Sequence, residues 1–360
     1  MYVLTSVVFI LINIVAGGQC YECDFFENIK VSVIPKSRVP YFKMFAKKNF
    51  YGCFEQKQFD QVVVGISVVD QKISRIGDHA VHDLPELNSL SFYGCGIRDI
   101  SRSAFENLPK LRVIRIDHGN LTTLSGGIFN DLPSLEDLSL FQNQISQIES
   151  STFAAMTALK QVIFSRNQLT AIDSVWFFYS PNLTLLDVSY NKIQEINKYT
   201  FEFAPNLKDI FLDCNEIKHI GEKTFIHFDN IEIISLRHNK LTELNSNIFP
   251  NKFRVDVLYL NANFLNFIPQ TLLEKLSIKV IDLAGNPWKC PCLNLIHKWL
   301  VQSNATLTNH FCKGDHFPVC FYDDGGNFCS ETVDDKMTKS FLKSLRDLER
   351  PVDEECANLS

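Results

Sequence analysis

The sequence of 360 residues lacks the short motifs that mark common enzyme classes. It has no Gly-rich phosphate-binding loop, no G-x-S-x-G nucleophile elbow and no H-E-x-x-H zinc pair. Without such a motif, no set of residues is placed to act as nucleophile, general base or metal ligands. We therefore expect a protein that is not an enzyme, needs no cofactor and binds no nucleic acid.

Long apolar runs are also absent beyond the start of the chain. The opening MYVLTSVVFILINIVAGGQC ends in small residues and is typical of a signal peptide over residues 1–18, cleaved before Gln19. Its front has no positive side chain, and an uncleaved anchor is the alternative, although the run falls short of the ~20 residues that a span requires. The final PVDEECANLS lacks the hydrophobic tail of a lipid anchor. We expect a secreted protein with no membrane span.

What the sequence does contain is a repeat of 24 residues. The segment LTLLDVSYNKIQEINKYTFEFAPN, starting at Leu183, is followed by similar segments starting at Leu207 and Ile231. Ten such frames cover residues 63–286, with one residue missing before the last. The apolar spacing fits neither a half-buried strand nor an amphipathic helix. A fixed period of this length predicts a solenoid, whose turns bury one stripe against their neighbours.

Two positions of the repeat recur most strongly. Position 9 is Asn143, Asn167, Asn191, Asn215, Asn239, Asn263 and Asn286, and position 19 is Phe105, Phe129, Phe153, Phe177, Phe201, Phe225 and Phe249. A buried Asn can satisfy backbone groups where the coil leaves each strand, and the phenylalanines are expected to form the core. The first three frames carry Gln71, Cys95 and Gly119 at position 9. We expect this N-terminal third to be the weaker part of the solenoid.

The head of the repeat, L-x-x-L-x-L-x-x-N-x-L, resembles the leucine-rich repeat family. The resemblance implies an α/β solenoid, a horseshoe with a parallel concave sheet and disulfide-stapled N- and C-terminal caps. We expect an N-terminal cap over residues 19–62, repeats over 63–286, a cysteine-rich C-terminal cap over 287–330, and an amphipathic helix with an acidic tail over 331–360. Thr332 and Asp335 would form a capping box for that helix.

Eleven cysteines, mostly near the two ends, indicate disulfides in a secreted chain. The stretch NPWKCPCLNLIHKWL resembles the C-terminal flank of extracellular leucine-rich repeat proteins. This resemblance implies that Cys290 and Cys292 pair with two of Cys312, Cys320 and Cys329. A zinc site in this region is the alternative, and we favour disulfides and expect no metal. The N-terminal flank has three cysteines where the family usually has four, and we expect Cys23 and Cys53 to be bonded.

Three further cysteines lie within the repeats or on the tail. Cys95 and Cys214 lie alone within the repeats, and Cys214 is expected to be a shielded thiol on the concave sheet. Cys356 lies on the acidic tail, where it is free to reach Cys329 or a second chain. A disulfide-linked or non-covalent dimer through the C-terminal region therefore stays an open alternative.

Surface features agree with an extracellular protein. The sequons at Asn120, Asn182 and Asn304 predict N-linked glycans. The net charge is −6, yet residues 28–54 carry six basic side chains and no acid. This basic stretch is either a solvated cap surface or a docking site for an acidic glycan or protein.

The concave sheet is the candidate binding surface. Positions 2, 3, 5, 7 and 8 of each repeat should point outward, and they include aromatic, arginine and aspartate side chains, a composition typical of protein interfaces. The alternative is that the rings only pack against each other across strands. The candidate residues are Tyr93, Arg115, Asp117, Phe141, Asp187, Tyr190, Phe211, Asp213, Arg237 and Tyr259.

A narrower resemblance concerns function. Signal peptide, repeats, cysteine cluster and following helix resemble the secreted leucine-rich immune proteins of insects, although the long coiled coil of that group is missing. The resemblance implies a recognition or scaffold factor of innate immunity that binds an extracellular protein. The alternatives are an adhesion or developmental signalling ligand or co-receptor, and an inhibitor or stabilising subunit of a secreted enzyme.

Overall fold

The structure, a computed structural model, describes residues 26–36, 49–154, 156–308, 320–322 and 328–347, without the side chains of 345–347. The expected signal peptide, Cys23, Cys312 and the acidic tail lie outside the described residues. The chain divides into two units, Met1–Gln168 with Val175–Leu183, and Leu169–Ser174 with Thr184–Ser360. Each unit is a stretch of parallel β-solenoid, which confirms the predicted leucine-rich repeat fold.

The first unit consists of short strands. They are β1 (Glu27–Pro35), β2 (Asn49–Tyr51), β3 (Val63–Val69), β4 (Arg75–Ile76), β5 (Val81–His82), β6 (Ser89–Tyr93), β7 (Asp99–Ile100), β8 (Phe105–Glu106), β9 (Val113–Asp117), β10 (Thr123–Leu124), β11 (Asp137–Ser139), β12 (Gln147–Ile148) and β13 (Gln161–Ile163). Strands β3, β6, β9, β11 and β13 lie side by side and parallel, one per repeat. Because the pairing step equals the repeat, Leu90, Ile114 and Leu138 at position 4 stack on the core side.

The N-terminal end of the first unit is closed by antiparallel strands. β1 pairs with β3 on one side and with β2 on the other. Phe26, Phe50, Phe54 and Phe92 pack beneath them, with the Phe26 and Phe54 ring centroids 4.4 Å apart. The antiparallel strands cover the apolar end of the parallel stack.

The second unit continues the same plan with helices at its end. Its elements are β14 (Leu185–Asp187), β15 (Glu195–Ile196), β16 (Asp209–Phe211), β17 (His219–Ile220), β18 (Asn230–Ser235), β19 (Phe253–Tyr259), α1 (Gln270–Leu273), β20 (Leu276–Asp282), β21 (Trp288–Lys289), α2 (Cys290–Ser303), β22 (Thr306–Leu307), β23 (Cys320–Phe321) and α3 (Asp335–Asp347). Strands β14, β16, β18, β19, β20 and β22 form its parallel sheet in that order. The described residues also include two 3₁₀ turns, one at Gln56–Gln58 in the first unit and one at Ser174–Phe177.

The C-terminal cap is held by two disulfides, Cys290–Cys320 and Cys292–Cys329. The expected pairing is confirmed, with Cys320 and Cys329 as the partners. These bonds also exclude a zinc site at Cys290 and Cys292, and the described residues contain no cluster suited to a metal. Trp288 is fully buried under the cap, and its indole N–H donates to the Leu283 carbonyl at 2.8 Å.

Helix α3 packs back on the cap through Met337 and Phe341, which are buried. The capping box expected from Thr332 and Asp335 is wrong. The carboxylate of Asp334 caps the helix instead, accepting from the Met337 N–H at 2.9 Å, while the Thr332 hydroxyl accepts from Lys289 at 3.2 Å. Asp335 lies inside the first turn, so the cap is one residue before it.

Asn at position 9 is buried at all seven predicted places, and position 8, just before it, has a second shared property. Its backbone lies in the left-handed region in every repeat. The residues with positive φ there are Asp70, Gly94, His118, Gln142, Arg166, Tyr190, Cys214, His238, Ala262 and Gly285. This conformation turns the chain out of the strand and favours glycine, yet only two of these residues are glycine.

Among the described residues, no helix is long and apolar enough to cross a bilayer.

Candidate binding face

The side chains at positions 3, 5 and 7 of each repeat leave the sheet on the side away from the core, and we call this side the open face. Alternation along a strand produces it. In β9, Val113, Arg115 and Asp117 are exposed or half-buried, whereas the intervening isoleucines are buried. The expected exposure is not uniform, because Ser235 at position 5 and Asn261 at position 7 are buried by their neighbours.

In the first unit, an aromatic row crosses the open face. Tyr93 keeps 43% of its surface exposed, and its ring lies 4.4 Å from the His118 ring, which is 5.2 Å from the Phe141 ring. Arg115 is exposed beside this row. The register of one strand per repeat brings these residues together, because Tyr93 and Phe141 hold position 7 of two repeats and His118 holds position 8 of the repeat between them.

The carboxylate of Asp117 accepts two hydrogen bonds beside this row. Its Oδ1 accepts from the Ser139 hydroxyl at 2.6 Å and from the Phe141 N–H at 2.9 Å. Burial raises the pKa of Asp117 above its usual value, and these hydrogen bonds and the charge of Arg115 oppose the rise only in part. The carboxylate therefore holds in place the end of β11 at Ser139 and the backbone of Phe141 just after it.

The second unit repeats this arrangement around Asp213. Its Oδ1 accepts from the Ser235 hydroxyl and from the Arg237 N–H, the latter at 2.9 Å. Burial raises the pKa of Asp213 most, against the charge of Arg237 and both hydrogen bonds. The Arg237 guanidinium in turn lies 3.7 Å from the Tyr259 ring centroid, a close cation–π contact.

The other predicted site residues of the second unit lie on or beside the same face. Asp187 and Phe211, at position 5 of successive repeats, are half-buried. The Asp187 carboxylate accepts from the Ser189 N–H at 2.9 Å. Tyr190, at position 8, is half-buried with φ of 55°. The structure thus gathers the ten predicted residues into two clusters, one in each unit.

Sequence reasoning missed two features of these clusters. His118 is not among the predicted residues, yet its ring lies between those of Tyr93 and Phe141. The shared pattern of Asp at position 7 with Ser at position 5 of the next repeat, as in Asp117 and Ser139, was also missed. Comparing neighbouring frames column by column would have revealed it.

The cysteines within the repeats differ from each other. Cys214 is disulfide-bonded, so the expectation of a shielded thiol there is wrong. Cys95 is a free, buried thiol, and burial raises its pKa to about 11. Its Sγ lies 3.6 Å from the Val68 carbonyl and 3.4 Å from the Tyr93 carbonyl, which makes it a weak substitute for Asn at position 9.

The three predicted glycosylation sites differ in exposure. Asn182 and Asn304 are exposed, and Asn120 is half-buried with its side-chain oxygen 3.3 Å from Gln144 Nε2.

Cys53, which was expected in an N-terminal disulfide, is disulfide-bonded.

The family model of the BspA type leucine-rich repeat region matches six copies over residues 43–184, 134–256 and 170–286. The chain belongs to this family. The match spans the repeats that build both clusters, so the leucine-rich repeat fold rests on sequence as well as on the strand pattern. A search of curated protein sequences found no match.

Solved structures similar to this leucine-rich repeat protein include the leucine-rich repeat chain of FLRT2 in an octameric complex with latrophilin 3 and Unc5D. The TM-score is 0.53 at 22% identity, over 69% of this chain and 84% of that one. A TLR13–ssRNA13 complex (TM-score 0.47, 20% identity, 67% of this chain and 42% of that one) and the Toll–Spatzle complex from Drosophila (0.44, 17%, 62% and 38%) are less similar. The similarity to the FLRT2 complex supports the fold.

Proposed function

We propose that this leucine-rich repeat protein is secreted and binds an extracellular protein through its open face. The observation that carries the proposal is the row of Tyr93, His118 and Phe141 beside Arg115 on a solvent-facing sheet. Tyr and Arg are the side chains that dominate the energy of protein interfaces. The row has no role in the core, because the core side of the same strands is filled by aliphatic residues and Phe92.

The open face of the second unit supports the same proposal. It carries an arginine and a tyrosine side by side, with the Arg237 guanidinium 3.7 Å from the Tyr259 ring centroid. These are the same two residue types that mark the first cluster.

Secretion is supported by the disulfides of the C-terminal cap, since such bonds persist in oxidising compartments. Within this proposal, the role is recognition or scaffolding in innate immunity. Its support is the sequence resemblance to the secreted immune proteins. The FLRT2 complex shows that a leucine-rich repeat chain of similar fold assembles with other proteins, and an adhesion or signalling role is therefore the outcome that the experiment must distinguish.

The test is affinity capture of the tagged protein from extracellular fluid, followed by binding measurements with each purified partner. One variant changes the first cluster, Tyr93→Ala with Arg115→Glu, and another changes the second, Phe211→Ala with Tyr259→Ala. The matched control is Arg98→Glu, an exposed arginine at position 12, away from the open face. We expect at least one cluster variant to lose roughly tenfold or more in affinity, which is about 1.4 kcal/mol, while the control binds normally.

A partner that binds both folded cluster variants as tightly as the parent protein contradicts the open-face proposal. Circular dichroism and thermal melting of each variant ensure that lost binding does not reflect unfolding. Immune factors among the partners support the recognition role, whereas cell-surface receptors or adhesion proteins support the alternative.

A further inference from the structure

The second unit carries a row of apolar side chains across its open face. Position 3 is Ile233 in β18, Val257 in β19 and Val280 in β20, and the strand register places each of them beside the next. All three are half-buried, whereas the residue that follows each of them is buried on the core side. We call these three side chains the apolar row.

The fold does not require apolar side chains at position 3. In the first unit this position holds a glycine, one valine and three polar residues, namely Gly65, Ser89, Val113, Asp137 and Gln161. The strands that carry them pair in the same parallel register. Because those strands form without an apolar row, the row in the second unit has no structural explanation in the repeat. A contiguous apolar patch on a solvent-facing surface indicates a binding site.

Acidic side chains surround one end of the apolar row. Asp209, at position 3 of β16, lies directly beside Ile233 on the neighbouring strand. Glu232 precedes Ile233 in the sequence and is exposed, and Asp187 lies on β14, the strand beyond Asp209. The open face of the second unit is therefore apolar over three strands and acidic at the end nearest β14.

The negative charge at this end is not balanced at Asp209 by a base of the described residues. Burial raises the pKa of Asp209 most, and the like charge of Glu232 raises it further. The adjacent Lys208 donates instead to the side-chain oxygen of Asn230 at 3.1 Å. A cation brought by a partner would relieve the repulsion between the two carboxylates.

The equivalent acid of the first unit has a different environment. Asp137 also holds position 3, and burial and the charge of Glu136 raise its pKa, but the charges of Arg115 and Lys160 oppose the rise. Glu136 forms an ion pair with Lys160 at 3.0 Å. The first unit thus supplies its own cations, whereas the second unit leaves its carboxylates to attract the cations of another molecule.

We propose that the open face of the second unit binds a basic protein segment, whose apolar side chains cover the apolar row. Lysine or arginine side chains of that segment pair with the carboxylates at the end of the row. This inference rests on the proposed function, since it specifies the chemistry of the partner. The apolar contact supplies affinity, and the charges favour basic segments over acidic ones.

The first test uses two synthetic peptides with the same leucine spacing, one with lysine and the other with glutamate at the polar positions. Each is about 14 residues long, because a helix of that length spans the roughly 19 Å from β14 to β20. Calorimetric titration of the full chain should show the leucine–lysine peptide binding roughly tenfold or more tightly than the leucine–glutamate peptide. Equal affinities, or no binding of the leucine–lysine peptide, overturn the proposal.

Two variants locate the bound peptide. Asp209→Asn with Glu232→Gln removes charge from the end of the apolar row, and Val257→Gln interrupts the row with a side chain that position 3 accepts elsewhere, at Gln161. Each variant should weaken the leucine–lysine peptide roughly fivefold or more. Unchanged affinity in either folded variant contradicts the proposed site, and thermal melting establishes that each variant is folded.

The matched control removes the equivalent acids of the first unit, through Asp137→Asn with Glu136→Gln. It changes the net charge of the chain by the same amount as the charge variant of the second unit. We expect the control to bind the leucine–lysine peptide as the parent does. An equal loss in the control would show attraction to the overall negative charge and would contradict a site in the second unit.

Partners captured from extracellular fluid separate this inference from the proposed function. A partner that loses roughly tenfold in affinity both with the second-cluster variant and with Asp209→Asn plus Glu232→Gln supports both. A partner that depends on either cluster yet binds the charge variant normally supports the proposed function and contradicts this inference. A partner that binds both cluster variants normally contradicts the proposed function, while the peptide pair still decides the chemistry of the face.

Discussion

Asparagine at position 9 links neighbouring repeats through its side-chain amide. The Asn239 Nδ2 donates to the Leu212, Leu236 and Arg237 carbonyls at 2.9, 3.2 and 3.1 Å, and its Oδ1 accepts from the Ile217 N–H at 3.0 Å. One side chain thus satisfies backbone groups of two repeats, where water cannot reach.

Asn239→Ala should therefore lower the free energy of unfolding by roughly 2–3 kcal/mol, because it leaves several buried backbone groups without partners. Urea denaturation followed by circular dichroism measures this. Cys95→Ala is the matched comparison at the same position of another repeat, and it should cost less, since a thiol is only a weak donor. Equal losses would show that the amide hydrogen bonds are not what matters at position 9.

The left-handed backbone at position 8 is a second property of single residues. Gln142 has φ of 52° and an exposed side chain. An L-residue in this conformation costs roughly 1–2 kcal/mol relative to the right-handed one. Gly94 occupies the equivalent place, and a Cβ there would lie 2.3 Å from Asp70 Oδ1.

Gln142→Gly should raise the free energy of unfolding by roughly 0.5–1 kcal/mol, because relief of the left-handed strain exceeds the entropy that glycine loses on folding. The opposite change, Gly94→Ala, should destabilise the protein, since it adds strain and a clash. Both are measured by denaturant midpoints at constant slope. A loss of stability in the glycine variant would contradict the strain argument.

Asp213, which is half-buried on the open face, makes part of the stability depend on pH. Its pKa is higher in the folded state than in the unfolded chain, so the folded state holds the proton more tightly. The contribution of Asp213 to stability is present below the ordinary Asp pKa and is lost as the pH rises through the raised folded value.

The difference in unfolding free energy between the parent and Asp213→Asn, measured from pH 3.5 upward by urea denaturation, isolates this group. We expect the parent to lose stability relative to the variant as the pH rises from about 4. The surface carboxylates act in the opposite direction, as with Glu86, whose pKa the hydrogen bonds from Lys110 and Lys36 lower to about 2, and they cancel in the difference. A pH-independent difference would place the Asp213 pKa at its ordinary value.

At the scale of elements, the coil that follows each strand is held by phenylalanine at position 19. Phe201, Phe225 and Phe249 are buried, with successive ring centroids 5.7 and 4.8 Å apart. Each ring therefore packs between those of adjacent repeats. The ladder holds the coils at the same spacing that the hydrogen bonds impose on the strands.

Phe225→Ala should lower the free energy of unfolding by about 3–5 kcal/mol, through lost burial and the cavity between two rings. The neighbouring Ile226 is 45% exposed, and Ile226→Ala is the matched control, expected within about 0.5 kcal/mol of the parent. Chemical denaturation distinguishes them. Similar losses for both substitutions would mean that the ladder adds little to stability.

The structure of the whole molecule depends on covering the ends of the parallel stack. Strands β1 and β2 do so in the first unit by antiparallel pairing, and helices α2 and α3 do so in the second. The bond between Cys292 and Cys329 joins α2 to the segment before α3. An open last repeat would expose its apolar stripe, so the cap stabilises the repeats before it.

Replacing Cys292 and Cys329 together by Ala should lower the free energy of unfolding by about 2–4 kcal/mol, because the unfolded chain loses a closed loop. Adding a reductant should lower the melting temperature of the parent by more than it lowers the melting temperature of the variant. Val301→Ser, at an 83% exposed position of α2, is the control and should melt as the parent does. A cap that keeps its full stability without the bond would contradict the stapling role.

The sequence alone determined the features that its period of 24 residues encodes. The 24-residue spacing determined the strand register, the core positions and the Asn and Phe ladders. With a constant spacing, residues at the same position of successive repeats become neighbours. The resemblance of the cap motif limited the possible partners of Cys290 and Cys292 to three cysteines. In the structure the partners are Cys320 and Cys329. The antiparallel β1 escaped prediction because it lies outside the repeat.

Only the tertiary structure decided the rest. Asp117 and Asp213 occupy position 7, which was expected to be solvent-facing, yet both are half-buried and this loss of solvent raises their pKa values. The position of Cys214 in the repeat likewise did not predict that it is disulfide-bonded. Periodicity specifies contacts between equivalent positions, whereas burial and disulfide bonding depend on which non-equivalent side chains the fold brings together.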